Sequence, residues 1–109
     1  MPVASIQPRE LRAWLTDADR AKPMLLDVRE PWEVNLCMID GSSSIPMGTI
    51  PQQLAQLDPD AQIVVICHHG ARSMQVAAFL DRNGFAHLHN LTGGVDAWAR
   101  EIDPSMPLY

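Results

Sequence analysis

The stretch I-V-V-I-C-H-H-G-A-R-S, Ile63 to Ser73, decides how this chain reads. Four consecutive apolar residues, Ile63 to Ile66, have the pattern of a buried strand. The apolar run stops at Cys67. A short loop containing Gly70 follows, and a helix pattern begins at Ser73. A thiol therefore stands at the carboxyl end of a core strand, just before a helix N-terminus. In open α/β sheets that edge is where ligands bind.

Electrostatics make the place suited to thiol chemistry. A helix N-terminus offers unpaired N–H groups and about half a positive charge. Successive N–H groups of a tight loop form a concave anion site. Arg72 adds a charge that does not titrate near neutral pH. A cysteine in such surroundings is expected to be partly or wholly thiolate, since such thiols fall from about 8.5 to between roughly 3.5 and 7.5. The thiolate is the nucleophile, and what it attacks or carries is expected to be anionic.

Elsewhere strand and helix patterns alternate along the chain. Val3 to Ile6 reads as a first strand, and Pro8 suits the first turn of a helix. Leu11, Trp14 and Leu15 place one apolar stripe on that helix, which should fade at Asp17 to Asp19. Met24 to Val28 is a second strand with Asp27 and Arg29 at its carboxyl end. The expectation for that pair is a solvated salt bridge or a loop brace. Glu30 to Leu36 reads as a short helix with Trp32 in the core. Ser44 to Pro46 is a short edge strand, because Pro46 cannot donate to a ladder.

Ile50, Leu54 and Leu57 mark a third helix, ended by Asp58, Pro59 and Asp60. After the Cys67 loop, Val76, Phe79 and Leu80 share a helix face, and Gly84 is a C-terminal stop. His87 to Leu91 is the last strand, Val95 to Arg100 a final helix, and Asp103 to Tyr109 a tail packed on the surface or loose. The alternation predicts an α/β fold, a mostly parallel central sheet with helices on both faces.

Composition narrows the function. The 109 residues suit one domain spanning 1–109, well above the roughly 40 below which small folds need staples. The net charge of −5 and the single lysine, Lys22, argue against nucleic-acid binding. No stretch approaches the roughly 18 apolar residues of a membrane span. The first residues lack a basic region followed by an apolar one, so no signal peptide is expected and the cytoplasm is the default. Two cysteines are too few for a disulfide framework.

Three stretches together resemble a known family. They are the Cys67 loop with its C-x4-R spacing, L-L-D-V-R-E at Leu25 to Glu30, and N-L-T-G-G-V-D-A-W at Asn90 to Trp98. In order and spacing they are similar to rhodanese-type sulfurtransferases, over nearly the whole chain. The resemblance departs at Met38 and at the serines Ser42 to Ser44. It implies a rhodanese-like α/β fold and a persulfide mechanism on Cys67. Cys67 would take sulfane sulfur from a small anionic donor such as thiosulfate and pass it to cyanide or a thiol. His68, His69, Gly70, Ala71, Arg72 and Ser73 would bind substrate and stabilise the persulfide. Asp27 and Arg29 would shape the site from behind. No metal or other cofactor is implied.

Two other functions compete with this one. A relay or binding module would carry persulfide sulfur to a protein partner and turn over thiosulfate poorly. A cysteine phosphatase or arsenate reductase would share the thiolate and arginine, but its C-x5-R loop is one residue longer. The four residues between Cys67 and Arg72 make a smaller cradle. Cys37 reads as passive, since a resolving role needs Cα atoms within about 7 Å. His87 and His89 alternate on a strand as a surface or half-buried pair. A zinc site from Cys67, His68, His69 and these two lacks the usual ligand separations.

Overall fold

The computed structural model describes residues 3–109. Five strands, β1 (Ala4–Ile6), β2 (Met24–Asp27), β3 (Ser43–Ser44), β4 (Gln62–Ile66) and β5 (His87–Leu91), form one sheet in the order β1-β5-β4-β2-β3. Every pairing is parallel. The expected mostly parallel sheet is thus parallel throughout these strands. β4 lies at the centre, and Ile63 to Ile66 are fully buried.

Side-chain alternation along β4 divides the core in two. Val64 and Ile66 face α1 (Pro8–Thr16) and α5 (Gly94–Glu101), packing with Leu11, Trp14, Val95 and Trp98. Ile63 and Val65 face α3 (Ile50–Gln53) and α4 (Ala71–Arg82), packing with Ile50, Val76, Ala77 and Leu80. Helices cover both faces, as the alternating pattern predicts. Each fully buried β4 side chain contributes about 1.5–3 kcal/mol relative to exposure.

Several expectations need correction. Helix α4 begins at Ala71 rather than Ser73, because Gly70 caps it and its carbonyl already accepts the Met74 N–H at 3.2 Å. The third helix is one short α-turn between two 3-10 turns, Met47–Thr49 and Leu54–Gln56. A segment this short closes its ends with tighter i→i+3 bonds, such as Leu57 N–H to the Leu54 carbonyl. β3 ends at Ser44, yet Ile45 and Met47 still donate to the carbonyls of Asp27 and Val28. Helix α2 (Pro31–Leu36) does not bury Trp32, which is 61% exposed. It turns Glu33 inward instead. The tail packs down through Met106 and Tyr109.

Asp27 and Arg29 are not solvated, since both are fully buried. Their bridge is a brace across the carboxyl end of β2. Arg29 Nε and Nη2 meet the two Asp27 oxygens at 2.9 and 2.6 Å. The other donors reach the carbonyls of Glu33 and Cys37 and the Tyr109 hydroxyl. All five N–H groups of the guanidinium have partners. Burial opposes the charge, but the hydrogen bonds Arg29 donates to Asp27 and Tyr109 outweigh it and hold Arg29 above its ordinary value.

Removing one partner of such a pair leaves a buried charge uncompensated. Asp27→Asn should lower the unfolding free energy by about 3 kcal/mol. Urea denaturation at neutral pH checks this; a change indistinguishable from zero would contradict the brace.

Candidate active site

Cys67 follows β4 directly and is 1% exposed. Its Sγ accepts a hydrogen bond from the Gly70 N–H at 3.0 Å and lies 3.3 Å from Ser73 Oγ. Gly70 makes this turn possible with φ at +110°, a conformation in which side chains are strained. Ser73 is fully buried, and its hydroxyl also lies against the Gly70 carbonyl and Asn90 Oδ1. Asn90 Nδ2 donates to that same carbonyl. Asn90 on β5 therefore supports both the loop and the serine beside the thiol.

The other flank is the start of α5. Val95 and Asp96 donate their N–H groups to the carbonyls of Cys67 and His68, at 2.9 and 3.1 Å. This contact requires Gly94: a Cβ there would stand 2.3 Å from the Cys67 carbonyl oxygen. The Gly93–Gly94 pair thus lets α5 dock against the loop.

Arg72 points away from open solvent only in part, with 35% of its side chain exposed. Its Nη1 and Nη2 donate to the two oxygens of Glu33 at 2.6 and 2.7 Å. The Glu33 carboxylate also accepts the Glu30 N–H at 3.0 Å and the Tyr109 O–H at 2.8 Å. Burial first, with the hydrogen bond to Glu33 added, pushes the Tyr109 phenol up to about 12, so it remains a donor. The Tyr109 ring stacks on His68 at 3.8 Å, and His68 stacks on His69 at 3.9 Å. Burial, then the neighbouring His69, lowers the His68 pKa below its ordinary value.

Among the described residues, the one group of three potential metal ligands is His68, His69 and Asp96, with ligand atoms within 4.8 Å of one another. Asp96 is already engaged by Arg100 at 3.0 Å. His87 and His89 are not part of this group; His89 pairs with Gln62 and packs edge-on to Trp14. Both cysteines are free, and Cys37 Sγ lies 3.8 Å from Arg29 Nη1.

Residues 7–101 of the chain, which include this thiol loop, match one family model, described as the rhodanese-like domain. The chain belongs to that family. A protein named sulfurtransferase from Allochromatium vinosum is 39% identical over 83 residues, covering 76% of this chain and 78% of the relative. The probable adenylyltransferase/sulfurtransferase MoeZ of Mycobacterium tuberculosis is 41% identical over 108 residues. That match covers 97% of this chain, which spans only 27% of the longer protein. The crystal structure of a rhodanese-like domain protein from Staphylococcus aureus superposes with a TM-score of 0.80 at 31% identity, covering 88% of this chain and 91% of that one.

The loop from Cys67 to Ser73 is readable in sequence, but two of its neighbours, Glu33 and Tyr109, are not. Glu33 stands three residues after Glu30, a spacing that signals only a helix cap. Tyr109 closes a tail with no periodic pattern. Asn90 carries a usable signal, a polar residue inside a strand next to Gly93–Gly94.

The Glu33 carboxyl is held from its ordinary 4.5 down to about 2, first by the Arg72 hydrogen bonds and against the opposing effect of burial. A lowered folded-state pKa stabilises the fold above the unfolded value and loses that stabilisation as pH falls through the folded value. The contribution is about 3 kcal/mol, full above roughly pH 4.5 and gone below roughly pH 2. Urea unfolding over that window should show a steeper acid loss in the wild type than in Glu33→Gln. Equal slopes would contradict the pairing.

Proposed function

We propose that this chain is a thiosulfate-type sulfurtransferase working through a persulfide on Cys67. The observation that carries it is Cys67 Sγ at the end of β4 with the Gly70 N–H 3.0 Å away. The thiolate attacks the outer sulfur of an anionic donor: Cys67–S⁻ and S–SO₃²⁻ give Cys67–S–S⁻ and SO₃²⁻. The S–S bond of the donor breaks as the new one forms, so charge and atoms balance. An acceptor then takes the outer sulfur: cyanide leaves as thiocyanate, or a thiolate leaves as a persulfide, and Cys67 returns to thiolate.

The loop supports each state. The Gly70 N–H donates to Sγ at the strand end where negative charge must be held, and in this reading the other amides from His68 to Ser73 assist it as the donor binds. Ser73 Oγ lies 3.3 Å from Sγ, and Asn90 and the Gly70 carbonyl hold it in place. Arg72 is the one arginine of the loop, and it shares its charge with Glu33. His68 and His69 form the stacked wall on one side. Asp27 and Arg29 act only by bracing the elements behind the loop. We assign the whole of 1–109 to this one rhodanese unit, with no metal or cofactor in the reaction. We take the cytoplasm as the place of action, and two free cysteines suit a reducing compartment. Among the described residues no helix is long and apolar enough to cross a membrane.

A second function, delivery of the persulfide sulfur to a protein acceptor, is favoured by one observation. Nearly the whole chain matches a segment within the longer protein named adenylyltransferase/sulfurtransferase. Fast loading from a protein persulfide with slow thiosulfate turnover would mark the chain as this relay.

Intact-protein mass spectrometry after incubation with thiosulfate tests the chemistry. Wild type should gain one sulfur, about 32 Da, lose it on adding cyanide, and Cys67→Ser should gain none. Normal thiocyanate formation by Cys67→Ser would overturn the mechanism.

A further inference from the structure

Arg72 is the residue expected to meet an anionic donor, yet its charge is already answered. Glu33 takes both of its terminal nitrogens, at 2.6 and 2.7 Å. The carboxylate is itself held on every side. Oε1 also accepts from the Glu30 backbone and Oε2 from Tyr109. With 4% of its side chain exposed, Glu33 has little room to swing away. A donor drawn to Arg72 therefore meets an ion pair with no net charge, not a free cation.

We propose that Glu33 is a specificity-determining residue: by neutralising Arg72 it turns the Cys67 site toward monoanionic persulfides, R–S–S⁻, and away from dianionic thiosulfate. The inference rests on the persulfide chemistry proposed above and names its preferred donor class. The step balances in the same way: Cys67–S⁻ and R–S–S⁻ give Cys67–S–S⁻ and R–S⁻. Both donors place one negative sulfur near the loop amides. Thiosulfate brings a further negative charge on its sulfonate end, and that charge is repelled by Glu33. One unit of charge at several ångströms, partly screened by water and salt, changes affinity about three- to tenfold.

A steric or bracing role for Glu33 makes the opposite forecast. If the pair served only to order the loop, weakening it would impair every donor alike. The charge-neutral, isosteric change Glu33→Gln separates the two, because it keeps an acceptor for Arg72 while removing the negative charge.

The experiment follows Cys67 loading by quenched-flow intact mass spectrometry, as a function of donor concentration. The donors are thiosulfate and cysteine persulfide. Wild type is expected to load faster at low concentration from cysteine persulfide. In Glu33→Gln the half-saturating concentration of thiosulfate should fall about three- to tenfold, with the plateau rate little changed. Cysteine persulfide should shift by less than about twofold. Tyr109→Phe removes a hydrogen bond to Glu33 but leaves its charge, so it should not reproduce the thiosulfate gain.

Three results would overturn the proposal: a wild-type preference for thiosulfate, an unchanged or raised thiosulfate half-saturation in Glu33→Gln, or equal shifts for both donors. The wild-type comparison stands even if the variant does not fold. Failure of every donor to load wild-type Cys67 would instead remove the persulfide chemistry itself, together with the preference built on it.

Discussion

The Arg29 guanidinium is the tie on which this site depends. It is fully buried, a position that costs several kcal/mol unless every donor is used. All five of its N–H groups are used, on Asp27, on the carbonyls of Glu33 and Cys37, and on Tyr109. A single side chain thereby joins the end of β2, the middle and the C-terminal cap of α2, and Tyr109. Hydrophobic packing, which is non-directional, brings these segments together, and hydrogen-bond geometry, which is directional, orients them.

From this tie the organisation passes to the Cys67 loop through Glu33. Arg29 grips the Glu33 backbone, while the Glu33 side chain grips Arg72. Tyr109 contacts both, accepting from Arg29 and donating to Glu33. The order Asp27, Arg29, Tyr109, Glu33, Arg72 alternates acceptors and donors with no charge left alone. On the opposite flank the start of α5 caps the Cys67 and His68 carbonyls. The thiol loop is thus held by charge on one side and by backbone hydrogen bonds on the other.

Much of this is written plainly in local sequence. The Ile63–Ile66 run is a central strand because only burial on both faces tolerates four apolar residues together. Gly70 and the residues after it announce a helix start, wrong by two residues because the cap is the glycine itself. The helix expected through Ile50, Leu54 and Leu57 fails as a regular element because a segment so short gains too few i→i+4 bonds to hold one geometry. Trp32 reads as core by residue type, and its exposure follows from which face of α2 the Arg29–Glu33 contacts turn inward.

By itself the sequence determined the alternation of elements, the parallel sheet, the place of Cys67 at a strand end and the loop that follows it. These follow from periodicity and from residue spacing, both of which are local. Only the tertiary structure decided that Arg72 is paired, that Asp27 and Arg29 are buried, and that Tyr109 reaches the site. Arg72 and Glu33 stand 39 residues apart, and Tyr109 and Arg29 stand 80 apart. A charge reveals itself in sequence, but its partner is chosen by which segments the sheet order brings side by side.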